Sequence, residues 1–246
     1  MLALLRTRRW IGFTLVVIGA IVAFGLLSTW QWSRAEDRRQ ERIALQSAAA
    51  VEPFPLAALE LSSGLAPTDE WRPVVVEGEY LPGTEVAVRK RPLNARNGFW
   101  VMTALQRSEG GVVGVNRGWL PAGADALATP DIPAPPAGTV SVAGYLRAFE
   151  DADPDRNEGL PAGQVAAPAP VLLPDVGGTV LAYVQLTESV PEQDGLIPLS
   201  LPEVNEGQNI SYAVQWLLFA GVAMAGWFFF LRREAREDAL AGAERG

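Results

Sequence analysis

The stretch Trp10-Ile-Gly-Phe-Thr-Leu-Val-Val-Ile-Gly-Ala-Ile-Val-Ala-Phe-Gly-Leu-Leu-Ser-Thr-Trp-Gln-Trp-Ser33 runs for 24 residues without a charge, and a second uncharged run of equal length extends from Gln208 to Leu231. At about 1.5 Å per residue, a helix of that length reaches about 36 Å, more than the roughly 30 Å hydrocarbon core of a bilayer. Each run can span with some tilt. Tyr212 and Trp216 open the second run, Trp227 and three phenylalanines lie near its end, and Arg232 and Arg233 stop it. Aromatic residues at the ends of a span with cations beyond them suit a lipid interface. The 174 residues between the runs, 34 to 207, have the make-up of an ordinary folded domain.

A buried core helix is the plainer reading of either run, but 18 or more uncharged apolar residues are hard to place in a small soluble domain. A cleaved signal peptide is the other reading of the first run, because Arg6, Arg8 and Arg9 form a positive front. Its apolar stretch exceeds the roughly 7–15 residues of a signal core, and no small-x-small cleavage site follows it. Both runs are therefore expected to be membrane helices.

Orientation follows from the second span. Arg232, Arg233 and Arg236 lie beyond it, whereas no Lys or Arg falls between Arg156 and its start, so its C-terminal end is expected in the cytoplasm. With two spans the N-terminus is cytoplasmic as well. The expected organisation is a cytoplasmic N-terminus (1–9), membrane helix (10–33), helical stalk (34–52), extracytoplasmic β-rich domain (53–207), membrane helix (208–231) and cytoplasmic tail (232–246). The expected location is a bacterial plasma membrane, with a multi-pass topology.

Residues 34–207 hold 13 basic against 24 acidic side chains, a net charge of −11. Phosphate-backbone binding needs the opposite sign, so no nucleic-acid partner is expected. The chain has no cysteine and no histidine, and Lys90 is its only lysine. That removes thiolate nucleophiles, imidazole bases, the usual zinc and copper sites and the commonest haem ligand. Catalysis would have to use carboxylates, serine or Lys90. The acidic residues gather in Pro-containing connections such as Glu150-Asp-Ala-Asp-Pro-Asp155, where solvation is the default, so no enzyme activity, catalytic residue or metal site is expected.

Arg34 to Ala50 alternates charge without Gly or Pro and should prolong the first helix until Pro53 and Pro55 end it. A short helical turn is expected around Leu56–Leu61. Strands are then expected at 74–81 and 85–92, divided by the turn pair Pro82-Gly83, and at 98–106 and 112–119, a hairpin around Gly110-Gly111. Two more are expected at 139–147 and 179–187. The connections 121–138 and 151–178 are rich in Pro, Ala and Gly and should be ordered only where they pack on the sheet. With no internal repeat and no long heptad seam, the fold class is two transmembrane α-helices flanking an outward-facing β-rich domain, an antiparallel sheet or small barrel.

Four elements in this order carry a resemblance: Trp30-Gln-Trp-Ser-Arg34 closing the first span, Val76-Glu-Gly-Glu-Tyr80, Gly98 before a strand that ends Asn116-Arg-Gly-Trp-Leu-Pro121, and Asn209-Ile-Ser-Tyr-Ala-Val-Gln-Trp216 opening the second span. Together they resemble the surfeit-locus (Surf-one-like) cytochrome c oxidase biogenesis family. The resemblance covers both spans and the first half of the domain and is silent between about 151 and 207. It implies a membrane assembly factor for an aa3-type cytochrome c oxidase, acting by protein–protein contact, with the catalytic oxidase subunit as partner. It also implies action while haem a is placed in that subunit; from the side chains available, any haem a contact is expected to be transient, with no stably bound cofactor. The alternative is a permanent accessory subunit of the oxidase or of a respiratory supercomplex. One departure matters: members usually carry a histidine in Asn-His-Leu-x-Tyr before the second span, where this chain has Asn209-Ile210-Ser211-Tyr212. A haem-ligand role for that histidine does not carry over.

The candidate partner- or haem-contact residues are Trp30, Gln31, Trp32, Arg34, Asn116, Arg117, Trp119, Asn209, Tyr212 and Trp216. Tyr212 could ligate iron, but its plainer role is an interfacial anchor. Trp30, Trp32, Trp119 and Trp216 offer stacking surfaces. Arg117 is expected at a sheet rim, gripping a haem propionate or a partner carboxylate; the alternatives are an internal ion pair or stacking on Trp119. Arg89 and Arg91 are expected on one strand face with Lys90 on the other, as a solvated edge. Gly19/Ala23 and Gly221/Ala225 are four apart in the spans and could seat a close helix, either each other's or a partner's.

Overall fold

The computed structural model describes residues 5–59, 61, 64–123, 130–151, 154–174 and 179–243. The chain forms two compact units: one holds 1–43 with 203–246, the other 44–202. The expected connections at 121–138 and 151–178 lie partly outside the described residues.

The first unit is built from α1 (Arg8–Ala49) and α2 (Gly207–Ala243). Both contain windows long and apolar enough to cross a membrane. Helix α1 passes from the apolar run into the charged stalk without a break, as its lack of Gly and Pro there predicts. Helix α2 runs further than 231: the expected tail is helical as far as Ala243. Arg233 and Glu237, one turn apart and paired at 2.9 Å, sit in that extension.

The second unit holds eight strands: β1 (Phe54–Pro55), β2 (Pro73–Tyr80), β3 (Val86–Val88), β4 (Gly98–Arg107), β5 (Val112–Pro121), β6 (Thr139–Arg147), β7 (Gln164–Val165) and β8 (Tyr183–Val190). Strand order is β1-β2-β6-β8-β5-β4-β3-β7, and β2 also pairs with β4. The extra pairing closes β2-β6-β8-β5-β4 into a five-stranded barrel, with β1 and the β3–β7 pair as flanges. Closure removes the open edges that a small sheet would expose.

Three pairings are parallel: β5–β8, β1–β2 and β3–β7. The expected β-rich domain thus takes the small-barrel form, with parallel pairing at these seams. The expected strand 85–92 stops at Val88, because Lys90 takes a left-handed φ of 56° that no strand tolerates. The helical turn at 56–61 is a single 3-10 turn, Leu56–Ala58.

Strand β6 alternates strictly, with Val140, Val142 and Leu146 buried inside. They meet Val74, Val76, Leu105, Val113, Val115, Val184 and Leu186 in the main core. Strand β5 is buried on both faces, because Val88, Met102, Val165 and Tyr183 form a second cluster with Phe149 and Leu172 packed against it.

Candidate functional site

Between Val101 and Met102 the β4–β5 register slips: Val101 faces Gly118 and Met102 faces Asn116, leaving Arg117 as the extra residue of a bulge. A second bulge inserts Thr187 into β8, since Ala143 faces Glu188 and Gly144 faces Leu186. Bulges bend a strand and re-aim a side chain. Beyond Asn116↔Gln185 the parallel β5–β8 pairing ends, and the 191–198 segment takes over: Trp119 and Ile197 exchange backbone hydrogen bonds of 2.8 and 2.9 Å.

The bulge turns Arg117 inward, and its side chain is only 1% exposed. The guanidinium donates to Gln193 Oε1 (2.9 Å), Pro133 O (2.9 Å) and Ala134 O (3.2 Å), while Gln193 Nε2 donates back to the Arg117 carbonyl at 2.6 Å. The expectation of an arginine on an exposed rim is therefore corrected. Neither a carboxylate nor Trp119 receives it; it ties two loop carbonyls to the barrel. Burial lowers its pKa from the ordinary value, opposed by the Tyr80 and Glu85 charges. A cavity of about 260 Å³ opens beside it, with Glu188 and Glu192 in its lining.

Asn116 is fully buried, and its Oδ1 accepts from the Gly118 N–H at 3.3 Å, bracing the bulge. Trp119 is 1% exposed, so it presents no stacking surface. Its indole Nε1 donates to the Arg91 carbonyl at 2.6 Å. Gly98 is what admits it: a Cβ there would stand 2.3 Å from two indole carbons and 2.3 Å from the Leu120 carbonyl oxygen. The Asn-Arg-Gly-Trp segment thus acts on the loops around it.

In the helical unit, Trp10, Thr14, Val17, Ile21, Phe24, Ser28 and Gln31 are buried or half-buried and recur at spacings of four and three. Asn209, Ala213, Trp216, Ala220, Ala223 and Trp227 repeat that spacing on α2. This is a heptad seam, and it corrects the expectation that none is present. Polar groups pair along it: Asn209 Nδ2 donates to Gln31 Oε1 (3.0 Å), Ser28 Oγ to the Ala213 carbonyl (3.0 Å), and Trp227 Nε1 to Thr14 Oγ1 (3.0 Å). Interhelical hydrogen bonds of this kind join helices where lipid supplies no hydrophobic drive. Phe24 stacks on Trp216 with centroids 5.6 Å apart.

Arg42 grips Glu206 with two bonds of 3.2 and 2.9 Å just before α2. The hydrogen bond from Arg42 holds the Glu206 carboxyl below its usual range, and the same bond raises Arg42. Gly19, Ala23, Gly221 and Ala225 all lie outside the seam and are exposed, so the small-residue stripes are not where these two helices meet.

Of the ten candidates, Gln31 and Asn209 bond to each other, and Trp216 stacks within the seam. Trp30 (55% exposed), Trp32 (60%), Tyr212 (43%) and Arg34 remain open. Asn116, Arg117 and Trp119 belong to the barrel unit and are enclosed there. For haem iron the donor set is poor: Met102 is buried in the barrel wall, while Tyr212 and Met224 are exposed three turns apart on one helix. Among the described residues, Tyr212 and Met224 stand too far apart along α2 to ligate one iron and Met102 is enclosed, so these side chains do not fit a resident haem. Sequence reasoning missed Ser28, Arg42, Glu206 and Gln193. Polar residues at heptad spacing inside an apolar run were the available signal for Ser28; nothing local marked the others.

The sequence profile of the SURF1 family matches residues 18–221. SURF1-like proteins of Mycobacterium bovis and Mycobacterium tuberculosis are each 30% identical over 247 aligned positions, covering 96% of this chain and 88% of theirs. A SURF1-like protein of Dictyostelium discoideum is 31% identical over 118 positions, covering 44% of this chain and 42% of its own. The matched span includes the facing parts of both apolar runs, the bulged strand and the 151–207 region where the sequence motifs were silent, and it shows that this chain belongs to the SURF1 family.

Proposed function

We propose that this protein assists assembly of an aa3-type haem–copper cytochrome c oxidase in a bacterial plasma membrane, by contact with an oxidase subunit and not by catalysis. Family membership carries the reading, since members are known in general as cytochrome oxidase assembly factors. Two apolar helices that pair through a polar-studded seam support a membrane-held scaffold. The arginines that follow the second apolar run favour cytoplasmic termini and an outward-facing barrel.

The exposure of Trp30, Trp32 and Tyr212 supports a contact surface at the outer ends of the spans. Aromatic side chains there offer rigid, amphipathic area to a partner subunit. Any handling of haem a would be a brief stacking contact on Trp30 and Trp32, because Trp119 is enclosed and Tyr212 and Met224 stand too far apart on α2 to ligate one iron. The test is a reduced-minus-oxidised spectrum of membranes lacking the protein, beside parent and Trp30→Ala/Trp32→Ala membranes. Loss of the haem a band with b- and c-type bands intact, reproduced by the double variant at unchanged protein level, is the expected result. An unchanged haem a band would overturn the reading.

A further inference from the structure

Lys90 lies between two arginines, and in an extended strand its side chain would take the opposite face from theirs. Its positive φ of 56° breaks that alternation, and Arg89, Lys90 and Arg91 all line one cleft of about 370 Å³, joined there by Arg156, Glu150 and Leu160. Residues 44–202 contain nine basic and 19 acidic side chains. Four of those nine cations meet in this cleft against a single carboxylate among the described residues. Lys90 and Arg156 are solvent-exposed, and four cations gathered here make a local positive patch in an otherwise acidic domain, a field that attracts an anion.

The carboxylate present is engaged: Glu150 takes Arg91 in a two-pronged pair of 2.7 and 2.8 Å. Arg89 donates to the neutral Gln164 Oε1 at 2.8 Å. Among the described residues, Lys90 and Arg156 have no ion pair. The walls are fixed in advance. Ala87 and Arg89 donate to Gly163 and Val165 (2.8 and 2.9 Å), and Asn157 Oδ1 accepts from Ala166 (2.8 Å), holding the turn that carries Arg156. Trp119 clamps the Arg91 carbonyl at 2.6 Å, and the Arg91 guanidinium stacks 4.3 Å over Trp100. Guanidinium forks on braced backbone suit a planar or tetrahedral oxyanion. The volume falls in the range of small-ligand sites, about 300–1,000 Å³.

We infer that this cleft binds a compact dianion, a phosphate group or a carboxylate pair carried on a small ligand. The surrounding acidity admits a concentrated charge and repels extended polyanions. The test is calorimetric titration of the full-length protein in detergent with pyrophosphate and, separately, with succinate, at physiological ionic strength. Saturable binding of pyrophosphate alone assigns a phosphate ligand, and of succinate alone a carboxylate ligand. Arg156→Glu and Lys90→Gly should each weaken that binding by about tenfold or more. Glycine suits the φ at 90, so an unchanged or raised melting temperature in Lys90→Gly separates loss of the site from loss of the fold. Absence of saturable binding by either anion, undiminished binding in both variants, or binding only to anionic lipid vesicles would overturn the inference.

Discussion

The Arg117 guanidinium lies 5.6 Å from the centroid of the Tyr80 ring inside the barrel. Burial pushes the Tyr80 hydroxyl up to about 12, against the downward pull of Arg117. The folded state therefore holds the phenol proton more tightly than the unfolded chain, whose tyrosine titrates near 10. Stability from this group is complete below about pH 10 and falls as pH rises to about 12, by about 2–3 kcal/mol in all. Denaturant unfolding across that window should show the fall, and Tyr80→Phe should flatten it in part. Tyr183, also raised mainly by burial, contributes in the same direction. An identical alkaline slope in Tyr80→Phe would count against a buried, unionised phenol.

Removing the Arg117 side chain should unfasten the barrel's loops. Arg117→Ala leaves the half-buried Pro133 and Gln193 oxygens and the more open Ala134 carbonyl without their donor, and each hydrogen bond so lost costs about 1–1.5 kcal/mol net. A loss of about 3–5 kcal/mol is expected in urea unfolding followed by tryptophan fluorescence. Arg117→Lys should recover only part, because an ammonium cannot span three acceptors as a planar fork does. A loss under about 1 kcal/mol would mean that water replaces the guanidinium and that the loops hold themselves.

Gly98→Ala tests the packing of the indole beneath β4. The added methyl meets both the Trp119 ring and the Leu120 carbonyl at 2.3 Å, and the backbone oxygen has nowhere to go. Overpacking of this kind costs about 1–3 kcal/mol and more where backbone must shift. The variant should lose at least about 2 kcal/mol, and the tryptophan emission should move to longer wavelength. A neutral effect would show that β4 can slide.

Much of this arrangement was legible because it follows from local pattern. Strand β6 matches its expected bounds, since alternating Val140, Val142 and Leu146 demand a half-buried strand and Gly138 opens it. Arg117 was misplaced for a physical reason: period-two reasoning assumes an unbroken register, and a bulge inserts a residue that composition does not announce. Lys90 failed likewise, because a left-handed lysine is a tertiary decision. The parallel β5–β8 pairing joins residues about seventy apart, beyond any local signal. The heptad seam was overlooked because Thr14, Ser28, Gln31 and Ala213 fill positions that in water would hold leucine, whereas in lipid small and polar residues do that work.

That seam can be tested cleanly because the chain has no cysteine of its own. Ser28 and Ala213 touch, with the Ser28 hydroxyl 3.0 Å from the Ala213 carbonyl. Under mild oxidation in membranes, the pair Ser28→Cys/Ala213→Cys should form a disulfide within one chain. A protease site engineered between the helices would report it, since the cut fragments would stay together until reduced. Gly19→Cys/Gly221→Cys should not join within a chain, because nothing lies within 4 Å of a Cβ at either position. Links between chains at those two positions would mark the small-residue face as a contact for another helix. The reverse pattern, with 19 and 221 joined inside one chain and 28 and 213 free, would mean that the helices pair through the small residues after all and that the hydrogen bond from Asn209 to Gln31 is not made in the bilayer.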